Sequence, residues 1–129
     1  MNEFKGNCLI LEDNPARYPY LINLMFQISF PIMERLVITT TAKAAIEELK
    51  QFKHWDIIML DHDLDGQIYC ASENFNTGYQ VAKFIVENEN TCFYCIIHTL
   101  NDLAAPKMIG LLNKTTRTGK VIYKPCVDL

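Results

Sequence analysis

Asp61-His62-Asp63-Leu64-Asp65 follows directly on four apolar residues, Ile57-Ile58-Met59-Leu60. Unpaired carboxylates are too costly to bury, so Asp61, His62 and Asp63 are expected at a rim, facing a cation, water or a substrate. Other apolar runs end in the same way. Glu12-Asp13 follows Cys8-Leu9-Ile10-Leu11, His98-Thr99 follows Cys95-Ile96-Ile97, and Lys124 follows Val121-Ile122-Tyr123. Carboxylates drawn together repel, and a hard divalent cation relieves this most simply. Mg²⁺ suits such a set because it takes one or two carboxylates, keeps waters and accepts phosphate oxygens as further ligands. Lys124 would then balance charge on the far side of a bound phosphoryl group, and the Thr99 hydroxyl would donate to one of its oxygens. Asp61, in the middle, is either a metal ligand or a nucleophile.

Whether these groups meet depends on the elements that carry them. Short apolar runs bounded by turn residues read as strands buried on both faces: Cys8–Leu11, Leu36–Thr39, Asp56–Leu60, Cys95–Ile97 and Val121–Tyr123. Between them lie helical spacings. Asn14 caps and Pro15 opens a helix to about Ile28, with Pro31 closing its exit. Thr41 caps Ala42 to about Gln51, Thr77-Gly78 opens a third helix, and Asn101 or Asp102 caps a fourth from about Leu103 to Asn113. Strands alternating with helices imply βαβ units and a doubly wound α/β domain of the flavodoxin-like kind, a five-stranded parallel sheet ordered 2-1-3-4-5 with helices on both faces. In that order Glu12-Asp13 and Asp61 are neighbours at the switch point, where ligands bind. His54 falls at the opposite end of its strand and reads as structural. The polar stretch from Asp61 to Asn76 is a long loop, and loops of that length inside a domain are often functional.

The chain of 129 residues is expected to be one domain over 1–129, large enough to bury a core. A net charge of -3, with the basic residues scattered, gives no field favouring nucleic acid or membrane, so neither DNA binding nor membrane association is expected. No apolar run is long enough to span a bilayer. No secretory signal stands before the first strand, so a cytoplasmic, reducing setting with free thiols is the expectation for the five cysteines. Cys92 and Cys95 have C-x-x-C spacing, but among strand formers they read as buried thiols.

The motifs Leu11-Glu12-Asp13-Asn14-Pro15, Asp56-Ile57-Ile58-Met59-Leu60-Asp61, Gly78-Tyr79, Ile96-Ile97-His98-Thr99 and Tyr123-Lys124-Pro125 resemble those of chemotaxis-type receiver domains of response regulators, over almost the whole chain. That resemblance implies Mg²⁺ on the acidic pair Glu12-Asp13 and on Asp61, a phosphoryl group accepted by Asp61, and contacts to it from Thr99 and Lys124. It also implies a cis peptide before Pro125. The phosphoryl donor would be a histidine kinase or a phosphotransfer protein.

Departures from the common pattern point to a branch. The sequence ends before a fifth helix, Val121 takes the place of the aromatic switch residue, and the loop after Asp61 is several residues longer. Leu60-Asp61-His62-Asp63-Leu64, Thr77-Gly78-Tyr79 and His98-Thr99-Leu100-Asn101 resemble instead the cyclic-phosphate-processing receivers. That likeness implies action on cyclic phosphate ends of nucleotides or RNA. Such chemistry needs an activated water, charge stabilisation at phosphorus and an acid for the leaving oxygen. His62 and His98 would serve as base and acid, or His62 only shield the loop and His98 only bond its backbone; Asp63 would be a further metal ligand or a solvated loop charge, and Asn101 a substrate contact or only a helix cap. Tyr69, Phe75 and Tyr79 either stack on a base or pack the loop onto the domain. A Mg²⁺-dependent phosphoesterase and a receiver phosphorylated on Asp61 in a phosphorelay therefore both stand.

Overall fold

The computed structural model describes residues 6–28 and 34–126; Pro31 lies outside them. Five strands form one parallel sheet ordered β2-β1-β3-β4-β5. They are β1 (Asn7–Leu11), β2 (Arg35–Thr39), β3 (His54–Leu60), β4 (Thr91–Ile97) and β5 (Lys120–Tyr123). The helices are α1 (Tyr18–Ile28), α2 (Ala42–Gln51), α3 (Gly78–Glu87) and α4 (Ala105–Leu112). The expected architecture and strand order are observed.

Strand residues alternate between two cores, as a sheet covered on both faces requires. Leu9, Leu11, Ile58, Leu60, Cys95 and Ile97 pack under α2, α3 and α4. Cys8, Ile10, Ile57, Met59 and Ile96 pack on the other side with Leu21, Leu24 and Met25 of α1. Cys92 and Cys95 are buried in β4, and Cys8, Cys70, Cys92 and Cys95 form no disulfide. No helix among the described residues is long and apolar enough to cross a membrane.

The helix starts follow the local chemistry. Asn14 Oδ1 accepts from the Ala16 N–H at 3.1 Å, but the first turn, Pro15–Arg17, is a 3₁₀ helix that tightens before α1 begins. Thr41 Oγ1 accepts from the Ala44 N–H at 3.1 Å. Thr77 makes no such cap; its hydroxyl turns back to the Asn74 carbonyl at 2.9 Å and serves the loop instead. β3 starts two residues earlier than its apolar run, at His54, because the imidazole pairs with Thr91 Oγ1 at 2.8 Å and Asp56 Oδ1 at 3.3 Å. β4 likewise starts early, at Thr91.

Register sets the working edge. Leu11 pairs with Leu60, Leu60 with Ile97, and Ile97 with Tyr123. The ladder runs one step further, from Asp61 N–H to Leu11 O (3.0 Å), His98 N–H to Leu60 O (3.0 Å) and Lys124 N–H to Ile97 O (2.8 Å). Glu12, Asp61, His98 and Lys124 therefore leave the sheet side by side. The expected cis peptide before Pro125 is corrected: every peptide bond among the described residues is trans. Past Pro125 the Cys126 N–H reaches His98 O at 2.8 Å, so the chain continues alongside β4 without the sharp turn a cis bond would make.

Candidate functional site at the carboxyl edge of the sheet

Glu12 and Asp61 are both buried where β1 and β3 end. Burial and the charge of Glu12 push the Asp61 carboxyl up to about 8, against weaker help from the His62 N–H (2.8 Å), Arg17 and the Thr99 hydroxyl. Burial also works against the Glu12 carboxylate, but hydrogen bonds from His98 (3.1 Å) and the Asn14 N–H (3.1 Å), with Arg17 nearby, bring it down to about 2. Arg17 Nη1 lies 3.5 Å from Glu12 Oε1 and 3.7 Å from Asp61 Oδ2. Its guanidinium thus bridges the two acids. The sequence reading missed it, although a basic residue one turn into the helix after Glu12-Asp13 had to lie at this edge.

His62 does not sit at the rim as expected, and His98 too lies inside the fold. His98 is fully buried behind Glu12, and its pKa is lowered by burial despite the pull of that carboxylate. His62 is fully buried in the loop, with Nδ1 2.7 Å from Asp63 Oδ1 and Nε2 3.1 Å from Ser72 Oγ. A side chain with both ring nitrogens bonded inside its own loop positions that loop and does not meet a rim.

Asp63 is the hub of the same loop. Its Oδ1 also accepts from Asn101 Nδ2 (3.0 Å) and Cys70 Sγ (3.1 Å), and its Oδ2 from the Tyr69 N–H. Burial is outweighed by these bonds, His62 first, so its pKa is lowered. Both oxygens thus anchor the loop, and His62, Asp63 and Cys70 each offer an atom within 4.8 Å of the others, a second set that could hold an ion. Asn101 completes the hub and also caps, its Oδ1 accepting from the Leu103 and Ala104 N–H groups at 3.2 and 3.0 Å.

The neck of the loop is pinned where Asp63 bridges Thr77 and the Gly78 N–H meets His62 O at 3.0 Å. Gly78 is required there, because a Cβ would lie 1.7 Å from the Asp61 carbonyl oxygen. Asp13, half-buried, holds the loop's other side by accepting from the Gly66 N–H at 3.1 Å.

Edge and loop enclose a cavity of about 570 Å³. Its lining includes the polar Asp13, Arg17, Asp61, Asp63 and Thr99 and the large apolar side chains of Ile68, Tyr69 and Leu100. Glu12, His62, His98, Asn101 and Lys124 do not line it. Lys124 stands exposed at the same edge. Tyr123, the residue before it, bonds its hydroxyl to Thr99 O at 3.1 Å and ties β5 to the cavity wall. Tyr79 packs on the core, whereas Tyr69 and Phe75 are exposed, so the loop's aromatics do not serve chiefly to pack it.

A hard divalent cation fits the donor set. Glu12, Asp61 and His98 each offer an atom within 4.8 Å of the others. The carboxylate oxygens are hard ligands, and the repulsion that raises Asp61 is what a cation reverses. Glu12 and Asp61, with Asp13 at the cavity wall, are the residues that would hold it.

The fold is similar to that of several solved proteins. The signal receiver domain of a Luxo repressor protein from Vibrio parahaemolyticus is 19% identical, with a TM-score of 0.56 over 97% of this chain and 82% of that one. The N-terminal domain of a response regulator/sensory box/GGDEF protein from Carboxydothermus hydrogenoformans is 19% identical, with a TM-score of 0.53 over 89% and 79%. The Salmonella typhimurium RcsB response regulator is 18% identical, with a TM-score of 0.56 over 95% of this chain and 53% of that one. No curated protein matches. A family model described as the cyclic-phosphate processing receiver domain matches residues 9–114. That match spans the strand ends and the loop that build the cavity, and the chain belongs to the cyclic-phosphate processing receiver family.

Proposed function

We propose that this chain opens cyclic phosphate ends of nucleotides or RNA at a Mg²⁺-dependent site centred on Asp61. The observation that carries this reading is the cavity itself. At about 570 Å³ it has room for a nucleotide end, more than an aspartyl phosphate needs. Its polar lining presents the Arg17 guanidinium and the Thr99 hydroxyl, donors for phosphoryl oxygens, beside the Asp61 carboxyl. Bound at Glu12, Asp13 and Asp61, Mg²⁺ would supply charge stabilisation at phosphorus and acidify a water.

The chain's own residues orient and exchange protons. A water oxygen bonds to phosphorus, one ring P–O ester bond breaks, and the water's proton ends on the freed ribose oxygen, leaving a phosphomonoester. The Asp61 carboxylate, at the cavity wall, would take the water's proton and hand it to the freed oxygen. Thr99 and Arg17 neutralise charge on the equatorial oxygens. His98 and His62 act one layer back, setting Glu12 and the loop hub. Lys124 stands at the same edge as a reserve of positive charge.

Signalling is the second reading. It is favoured by Asp61 and Thr99 facing one cavity at the edge that also carries Lys124, the set that a phosphoaspartate needs. Incubation with Mg²⁺ separates the two. Release of nucleoside monophosphate from 2′,3′-cyclic nucleotides, lost in Asp61→Asn, supports the enzyme. An Asp61 adduct from acetyl phosphate, with cyclic nucleotides left intact, supports the phosphorelay.

A further inference from the structure

The cavity is not lined by polar groups alone. With Asp61, Arg17 and Thr99 its wall includes Ile68, Tyr69 and Leu100, and these are 79%, 56% and 43% exposed. Large apolar side chains left this open beside a charged centre need an occupant.

Tyr69 is held out deliberately. Its backbone is left-handed at φ 53°, a conformation an L side chain avoids. The Tyr69 N–H bond to Asp63 Oδ2 fixes it there at 2.6 Å. Asp63 is in turn locked by His62, Asn101 and Cys70. The Asp63 hub therefore spends one of its hydrogen bonds on presenting an exposed aromatic ring at the cavity wall. A loop whose purpose was to pack would turn that ring inward.

From this we infer that the apolar part of the cavity lining is a nucleobase subsite, in which the Tyr69 ring stacks on the base of the terminal nucleotide while its phosphate lies at Asp61. The inference rests on the phosphate-handling reading of the same cavity and names its ligand class. Ile68 and Leu100 supply apolar edges around the base. Stacking tolerates any base and makes no hydrogen-bond readout, so the subsite prefers nucleotides over bare phosphate, and purines over pyrimidines through their larger face.

Equilibrium binding of adenosine 3′-monophosphate, uridine 3′-monophosphate and inorganic phosphate with Mg²⁺, measured by calorimetry on wild-type protein, Tyr69→Ala and Tyr69→Phe, tests it. The alanine variant keeps the backbone N–H bond to Asp63, so it removes the ring and not the anchor. The expected loss in Tyr69→Ala is about tenfold for adenosine 3′-monophosphate, smaller for the uridine ligand and none for phosphate, with Tyr69→Phe like wild type. Nucleotides binding wild type no more tightly than phosphate would overturn the subsite, as would equal losses for all three ligands. If nucleotide binding depends on Tyr69 but no cyclic phosphate is opened, the subsite stands and the proposed reaction fails.

Discussion

Glu12 and His98 lie 86 positions apart and meet at 3.1 Å, Oε1 to Nε2, with both side chains fully buried. Burial holds His98 below its usual pKa while Glu12 stays ionised. A neutral imidazole donating Nε2–H to a charged carboxylate meets both conditions. It also explains why Nδ1 has no partner among the described residues: in that tautomer it carries a lone pair and no orphaned hydrogen. His98→Ala strips Glu12 of this donor deep in the fold. The expected cost is on the order of 2 kcal/mol, read by urea denaturation, with Mg²⁺ binding weakened. Unchanged stability would show that the pair is idle.

The pH dependence of the metal-free protein follows from the same acids. Asp61 ionises near 3.8 when unfolded and near 8 in the fold. Between those values the fold keeps a proton that the unfolded chain has released, so stability falls as pH rises. His98 acts oppositely, its contribution being present above 6.5 and lost as pH falls below it. Glu12 contributes above 4.5, and that is lost as pH drops towards 2. From pH 6.5 to 8 Asp61 dominates among the described residues, and thermal midpoints are expected to decline. Asp61→Asn is expected to flatten that decline and stabilise the metal-free fold at pH 8 by on the order of 2 kcal/mol. A decline that persists in the variant would refute the assignment to Asp61.

Gly78 touches the centre from behind. A side chain there would meet the Asp61 carbonyl oxygen at 1.7 Å, and a backbone oxygen cannot rotate away. Gly78→Ala is expected to cost about 2 kcal/mol and to weaken Mg²⁺ binding by shifting Asp61. Gly110→Ala is the control, since nothing lies within 4 Å of its added Cβ. Equal melting temperatures for the two variants would argue against the close contact.

The buried His62 beside the loop's hub gives a prediction that separates positioning from chemistry. His62→Ala removes the link between Asp63 and Ser72. Segment 64–76 is expected to exchange its amides faster and to be cut sooner by protease, with a higher KM for cyclic nucleotides. A lower kcat with loop protection unchanged would return His62 to a direct catalytic role.

What the sequence made legible follows from the range of the forces involved. Strand ends such as Leu11-Glu12 and Leu60-Asp61 announce themselves because burial and solvation change within one residue, and α2 runs from Ala42 to Gln51 as its cap and spacing require. Parallel pairing then aligns Glu12, Asp61, His98 and Lys124 at one edge. The directions of His62 and His98 were not legible. They depend on Ser72 and Glu12, partners whose positions are set by loop closure and tertiary packing. Arg17 could have been placed by its distance from Glu12-Asp13, but a helical arginine carries no sign that it will bridge two acids.

Phosphorus NMR of adenosine 2′,3′-cyclic phosphate incubated with Mg²⁺ and the protein, wild type beside Asp61→Asn, tests the cavity's role most directly. The expected result is conversion of the cyclic signal to a phosphomonoester by wild type and none by Asp61→Asn. A cyclic signal unchanged by wild type, or one converted equally well by Asp61→Asn, would contradict a phosphate-opening site centred on Asp61.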